Sequence, residues 1–303
     1  MIPEKETSLY QYQAADPLGQ HFDLSQSDVV QPMQPMVNMA LRAARSAAEI
    51  ILHAHQDLES LKVQAKDRND FVTEVDKASE KVIIGALKKA YPDHGFFGEE
   101  SGIIEGKDEG KDYLWIIDPL DGTTNFIRGI PTFAISIACQ FRGRIEHAVV
   151  LDPIRDEAFC ASRGQGATLN SKRIRVSSRK SLEGALIGTG IPFSGNHLNH
   201  LDGYLNMMRS LLGDTAGIRR AGAAALDLAY VACGRLDAFW EFGLQKYDMA
   251  AGILLIQEAG GLCSDFNGRH DFLDKGQVVA ANPKCFKEVL QRIRPFAHDN
   301  MGR

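Results

Sequence analysis

"WIIDPLDGTTNF", Trp115 to Phe126, sets two carboxylates three residues apart after an apolar strand, with a proline between them and Gly-Thr-Thr behind them. A chain that needed only a turn could use one Asx residue and a glycine. Two acids at one strand end repel unless something positive lies between them. Trp115, Ile116 and Ile117 read as buried, and Asp118 and Asp121 mark where that burial stops. Hard divalent cations such as Mg²⁺ take oxygen ligands in octahedral geometry. Asp118, the carbonyl of Leu120 freed by the proline turn, and Asp121 supply such a set. Gly122, Thr123 and Thr124 can then open a helix whose free N–H groups face an anion. A metal beside a helix N-terminus is a phosphate site. The competing reading, a tight turn with an Asx cap, is the better one for an isolated Asp-x-x-Asp. The adjoining Gly-Thr-Thr moves the balance toward chemistry.

The rest of the chain limits what that chemistry can serve. With 303 residues, 44% hydrophobic and 24% charged, the composition is that of a globular protein with material for a large core. The formal charge is −5, but residues 1–35 hold five acids and one lysine, so 36–303 carry 33 basic and 34 acidic side chains. That near-neutral balance gives no general case for a nucleic-acid partner. Residues 1–35 lack an apolar signal core and a basic amphipathic face, and they read as a disordered extension. Met33 and Met36 could each begin the folded part. No apolar run approaches the roughly 20 residues of a membrane helix. Five scattered cysteines without a CxxC read as reduced core thiols of a cytoplasmic protein.

Helical spacing predicts helices over 36–58, 76–91, 198–212, 221–234 and 247–261, and a last one from 282 with Asn282 as its N-cap. Strand patterns fall on "LWIID", "FAISIACQF", "IEHAVVLD", "EAFCASR", "ALIGTG", "DAFWEFG", "LCSDF" and "QVVAA". "RGR" at 142–144 signals a hairpin between two of them. There is no internal repeat and no Pro/Gly linker inside 36–303, which favours one layered α/β domain with mainly antiparallel strands.

The opening stretch resembles the signature of the inositol monophosphatase family. The similarity continues through "FVTEVDKASE" (71–80), "GEESG" (98–102), "GQGATLN" (164–170), "AGAAALDLAYVACGRLDAFWE" (221–241) and "YDMAAGILLIQEAGG" (247–261), in the family's order. It is closest to the bacterial SuhB-type members. The resemblance implies a five-layer αβαβα sandwich, a Mg²⁺-dependent phosphomonoesterase with two or three ions per site, inhibition by lithium, and a homodimer. Position by position, Glu99, Asp118, the Leu120 carbonyl, Asp121 and Asp248 match the family's metal ligands. Glu99, Thr123 and Asp76 match its catalytic group, with Asp76 pairing to the Thr123 hydroxyl. Asp121, Gly122, Thr123, Gly222, Ala223, Ala224 and Glu241 match its substrate contacts, the last four toward the inositol hydroxyls. One departure is Tyr247, where the family usually has tryptophan.

Read physically, five carboxylates from four segments would converge on one cleft, self-repelling until cations enter. The absence of a Ser/His or Cys/His constellation agrees with attack by water. Weaker features keep structural readings: Asp227 as a hydrogen-bonding helix residue, Asp152 as a turn cap, His197 and His200 as surface positions. The basic stretch 171–180 reads as the solvated face of a strand. The function expected is hydrolysis of an inositol monophosphate or similar small polyol phosphate. The alternatives are a transcription antitermination and ribosomal-RNA accessory factor, with RNA polymerase and RNA as partners, and a fructose-bisphosphatase or adenosine bisphosphate phosphatase.

Overall fold

The computed structural model describes residues 33–60, 63–67, 70–191, 195–298 and 301. Residues 1–32 of the expected extension lie outside the described residues, as does the side chain of His197. Helix α1 (Pro35–His55) is the first helix among the described residues and buries Val37, Ala40, Ala44, Ala47 and Ile51, a stripe at helical spacing. Met33, just before it, already packs on that core. A hairpin of β1 (Val63–Asp67) and β2 (Asp70–Thr73) leads into α2 (Glu74–Ala90), which starts at a Thr73 capping box. Next come β3 (Gly95–Gly98), β4 (Gly102–Ile104), β5 (Tyr113–Asp121) and the short helix α3 (Thr123–Ile127). A meander follows: β6 (Ala134–Phe141), β7 (Arg144–Asp152), β8 (Glu157–Ser162), β9 (Gly166–Leu169) and β10 (Lys172–Arg173). The second half holds β11 (Leu186–Thr189), α4 (Leu201–Leu212), β12 (Gly217–Arg219), α5 (Ala224–Ala232) and β13 (Ala238–Phe242). It ends with α6 (Lys246–Glu258), β14 (Leu262–Ser264), α7 (Phe272–Lys275), β15 (Gln277–Ala281) and α8 (Pro283–Ile293).

The large sheet has the order β10-β9-β8-β7-β6-β5-β3-β4 and the small one β12-β11-β13-β15-β14. Most pairs are antiparallel, but β3 runs parallel to β5, and β11 runs parallel to both β12 and β13. Alternation along the central strands decides the layering. Trp115, Ile117, Ile135 and Ile137 face α1 and α2, whereas Ile116, Ala134, Ala138 and Val150 face α5 and α6. Those two helices are covered on their other side by Phe239, Val278 and Ala280 of the small sheet. The alternate residues Trp240, Val279 and Ala281 pack beneath α4 and α8. The result is the five-layer αβαβα sandwich that the resemblance implied.

Three local differences from the sequence reading have physical causes. Strand β5 does not stop at Asp118: Asp118, Pro119 and Leu120 stay buried and the strand continues to Asp121. Its register against β6 breaks between Asp118 and Asp121, the kind of irregularity that accommodates a proline unable to donate to the ladder. The glycine-rich "GFFGEESGII" forms the parallel strand β3 and the edge strand β4, which no alternation announces. Helix α5 begins only at Ala224, three residues later than its spacing suggested, leaving Gly222 and Ala223 in the chain ahead of it.

The middle layer depends on close approach of α5 and α6. A Cβ added to Gly252 of α6 would stand 2.5 Å from the Leu228 Cβ of α5, so the two backbones cannot keep their spacing around a larger residue. Gly252→Ala should therefore lower stability by about 1–3 kcal/mol. The check is a fall in urea midpoint with an unchanged slope; an unmoved midpoint would contradict this packing.

Candidate active site

The bulge at the end of β5 turns its carboxylates and carbonyl toward the first turns of two helices. Asp118, 2% exposed, accepts the Leu120 N–H at 3.0 Å through Oδ1. Asp121 accepts the Ala225 N–H of α5 at 2.7 Å, so this helix N-terminus holds the second acid from across the layer. Gly122 caps α3 in the left-handed region, φ 92°. Thr123 on α3 has its hydroxyl 3.0 Å from Asp76 Oδ1 and 3.1 Å from the Leu120 carbonyl oxygen. With one proton to donate, that hydroxyl lies between two acceptors.

Two acids are delivered by the same device. Asp76 is the third residue of α2 and accepts the Thr73 N–H at 2.8 Å and the Thr73 hydroxyl at 2.5 Å. Asp248 is the third residue of α6 and accepts the Gln245 N–H at 2.6 Å. An acid at this position suits the positive end of a helix. Glu99 follows β3 directly, and its N–H donates to the Ile117 carbonyl at 3.1 Å. Tyr247, next to Asp248, sets its ring at a tilt of 59° to that of Phe97, centroids 5.7 Å apart, while its carbonyl accepts the Ser136 hydroxyl.

The opposite wall is built by Gly222, Ala223 and Ala224 before and at the start of α5, and by Glu241 on β13, whose carboxylate lies directly over Gly190. Asn125 of α3 joins the walls by donating to the carbonyls of Thr132 (2.7 Å), Ala221 (2.9 Å) and, more weakly, Gly222 (3.3 Å). Sequence reasoning assigned Asn125 no role, although it sits inside the quoted signature.

The electrostatics follow from burial. Desolvation lifts Asp118 well above the ordinary carboxylate range, and the charges of Glu99, Asp121 and Asp248 push it further. Asp121 is pushed up to about 7 by burial and the Glu99 charge, against the pull of the Ala225 and Ala224 amides. Burial also lifts Glu241 well above its usual range, reinforced by Asp227, Asp248 and Asp121 and opposed by Arg220. Asp76 is raised by burial despite its hydrogen bonds from Thr73 and Thr123.

Asp227 is buried on α5, where its carboxylate shares the field of Asp121, Glu241 and Arg220. The basic stretch also differs from a solvated strand. Only Lys172 and Arg173 pair as β10, Ile174 and Val176 pack on the core, and Arg179 forms an ion pair with the largely buried Asp237 at 3.1 Å. His200 sets its ring edge against Phe242, 6.1 Å away.

Among the described residues, no three His, Cys, Asp or Glu side chains are already gathered into a metal cage. The fit to a hard cation rests on donor chemistry: Glu99, Asp118, Asp121 and Asp248 feel one another's charge, and all of them offer oxygen. Among the described residues, no helix is long and apolar enough to cross a membrane.

The model of the inositol monophosphatase family matches residues 32–298. The Nus factor SuhB of Pseudomonas aeruginosa is 65% identical over 271 residues, covering 89% of this chain and all of that protein. The crystal structure of the extragenic suppressor protein suhB from Bartonella henselae superposes with a TM-score of 0.83 at 43% identity, over 86% of this chain and 99% of that one. The inositol monophosphatase of Anabaena (Nostoc) sp. PCC 7120 gives a TM-score of 0.75 at 32% identity, over 86% and 95%.

The raised acids make stability depend on pH with a definite sign. Between 3.8 and about 7 the folded protein holds Asp121 protons that the unfolded chain has released, so stability falls as pH rises through that window. Asp118 acts in the same direction. The depressed acids Glu157 and Asp265 act oppositely only below their ordinary 4.5 and 3.8, and the imidazoles of His94 and His147, lowered by burial, oppose the fall only below 6.5. In chelator, Tm should drop from about pH 6.5 to about pH 8. Asp118→Asn should raise Tm at the higher pH and flatten the profile, as should added Mg²⁺. Parallel wild-type and Asp118→Asn profiles would refute the repulsion.

Proposed function

Because this chain belongs to the inositol monophosphatase family, we propose that it hydrolyses a small polyol phosphate, with inositol monophosphate as the leading substrate, using Mg²⁺. The observation that supports this most is the meeting of Asp118, the Leu120 carbonyl, Asp121 and Thr123 at one bulged strand end, with Asp76 on the Thr123 hydroxyl. Glu99, Asp118, the Leu120 carbonyl, Asp121 and Asp248 would hold two or three ions. Ions held by those oxygens would supply an acidified water and charge neutralisation at the leaving oxygen. In the net reaction a water oxygen bonds to phosphorus, the ester P–O bond breaks, and the alcohol leaves with a proton.

The protein's own groups orient these events. Donation from Thr123 Oγ1 to Asp76 Oδ1 leaves the hydroxyl's lone pairs free to accept a hydrogen from the attacking water, with Glu99 as its second acceptor. Gly222, Ala223 and Ala224 bound the polyol. Glu241 cannot hold phosphate, since anions repel, but it accepts hydrogen bonds from neutral hydroxyls. We take residues 36–303 as a single phosphatase domain acting as a homodimer. The free cysteines, four of them buried, suit the reducing cytoplasm.

A second reading is supported by the names of close full-length relatives, called Nus factors: an accessory role in transcription antitermination, with RNA polymerase and RNA as partners, in the same molecule. Lys172, Arg175 and Lys180, three of the four exposed cations of the basic stretch, would carry RNA contact, whereas Arg179 is committed to Asp237. Replacing those three by Ala should cut RNA binding and flatten its salt dependence while sparing phosphate release. RNA binding unchanged by the triple substitution would remove this surface from the account.

The deciding experiment for the enzyme is phosphate release with Mg²⁺ from inositol 1-phosphate, fructose 1,6-bisphosphate, adenosine 3′,5′-bisphosphate and glycerol 2-phosphate. Inositol 1-phosphate should be preferred, lithium should inhibit, and Asp118→Asn should be inactive. Glu241→Gln should raise KM for inositol 1-phosphate roughly three- to ten-fold, more than for glycerol 2-phosphate, with kcat nearly unchanged. Equal losses on both esters would mean that Glu241 does not read the polyol, and no release from any ester would sink the phosphatase assignment.

A further inference from the structure

Helix α2 carries a second buried acid, four residues after Asp76, that the site described so far does not use. Glu80 is 3% exposed, and its two oxygens accept the N–H groups of Glu100 (2.9 Å) and Ser101 (2.8 Å). These are the first two amides after Glu99. On its other side Glu99 is fixed by its own N–H to the Ile117 carbonyl of β5. The turn is thus held between a strand and a helix. Gly98 makes the approach possible: a Cβ there would lie 2.4 Å from Glu80 Oε2 and 2.5 Å from its Cδ.

We infer that Glu80 is the positioning residue for Glu99, setting the metal affinity of the site without touching the metal itself. The inference rests on the metal-dependent reading proposed above. A carboxylate that accepts two consecutive backbone amides fixes their peptide planes, and with them the origin of the Glu99 side chain. Side chains behind a ligand tune affinity in this way. Asp76 and Glu80 sit on one buried face of α2, so a single helix orients both the Thr123 hydroxyl and the Glu99 backbone.

The probe is Mn²⁺, with the free ion counted by electron paramagnetic resonance, in the full chain. Glu80→Gln keeps shape but turns an N–H donor toward one of the two amides. It should raise the Mn²⁺ Kd roughly ten-fold or more with an unchanged circular dichroism spectrum. Glu258→Gln is the control, because Glu258 clasps the Gly164 and Gly166 amides in the same way, both at 2.8 Å, at the far end of α6. It should lower Tm and leave the Kd unchanged. If Glu80→Gln fails to fold, Gly98→Ala displaces the same carboxylate and takes its place with the same expectation. Wild-type affinity in a folded Glu80→Gln or Gly98→Ala variant overturns the inference, and so does an equal loss in Glu258→Gln. A wild-type protein that binds no Mn²⁺ is a separate failure, that of the metal reading itself.

Discussion

Repulsion among Glu99, Asp118, Asp121 and Asp248 is the constraint around which the molecule is arranged. Each acid is partly or wholly removed from water, where its charge is costly and that of its neighbours is poorly screened. Left to itself, such a cluster would swing outward or stay protonated. Backbone amides prevent the first outcome: Leu120 N–H holds Asp118, Ala225 N–H holds Asp121 and Gln245 N–H holds Asp248. Burial and mutual repulsion push the titration of Asp118 and Asp121 upward, the direction of the second outcome.

The layers follow from the need to bring those amides to one place. β5 lies inside the large sheet between β6 and β3 and ends in the bulge, so its last acids emerge from a buried strand rather than a loose loop. Helices α5 and α6 lie between the sheets with their first turns at the cleft, supplying the Ala225 amide and Asp248. α2 approaches from the opposite face of the large sheet with Asp76 and Glu80. The cleft is therefore walled on three sides by helix starts, where an acid is tolerated best.

Much of this was legible because periodicity and chemistry agreed. The apolar runs "LWIID" and "FAISIACQF" marked two neighbouring strands of the large sheet, and the Asp118–Asp121 spacing with Gly-Thr-Thr pointed to the candidate site. What escaped had a physical reason in each case. Pro119 read as the end of a strand, whereas the strand absorbs it in an irregular register. β3 and β4 are short, glycine-bounded and partly exposed, so they carry no period-two signal. Glu80 and Asp227 are charged residues in helices, where charge ordinarily marks the solvent side; only Glu80's place on the apolar stripe with Ile83 and Leu87, and the apolar run on every side of Asp227, betray burial. Arg179 could not be separated from its exposed neighbours without knowing that Asp237, 58 positions on, would come to meet it.

The most direct measurement of the central claim is the number of protons released when Mg²⁺ binds, obtained by calorimetry in buffers of different ionisation enthalpy. A cation that resolves buried repulsion must displace protons from the raised acids. With Asp121 lifted to about 7 and Asp118 higher than usual, release should be substantial near pH 6.5 and should shrink as pH rises toward about 8.5. Mg²⁺ binding at the lower pH with no proton released would mean that the acids are already ionised and unstrained, and the account of the site would fall with it.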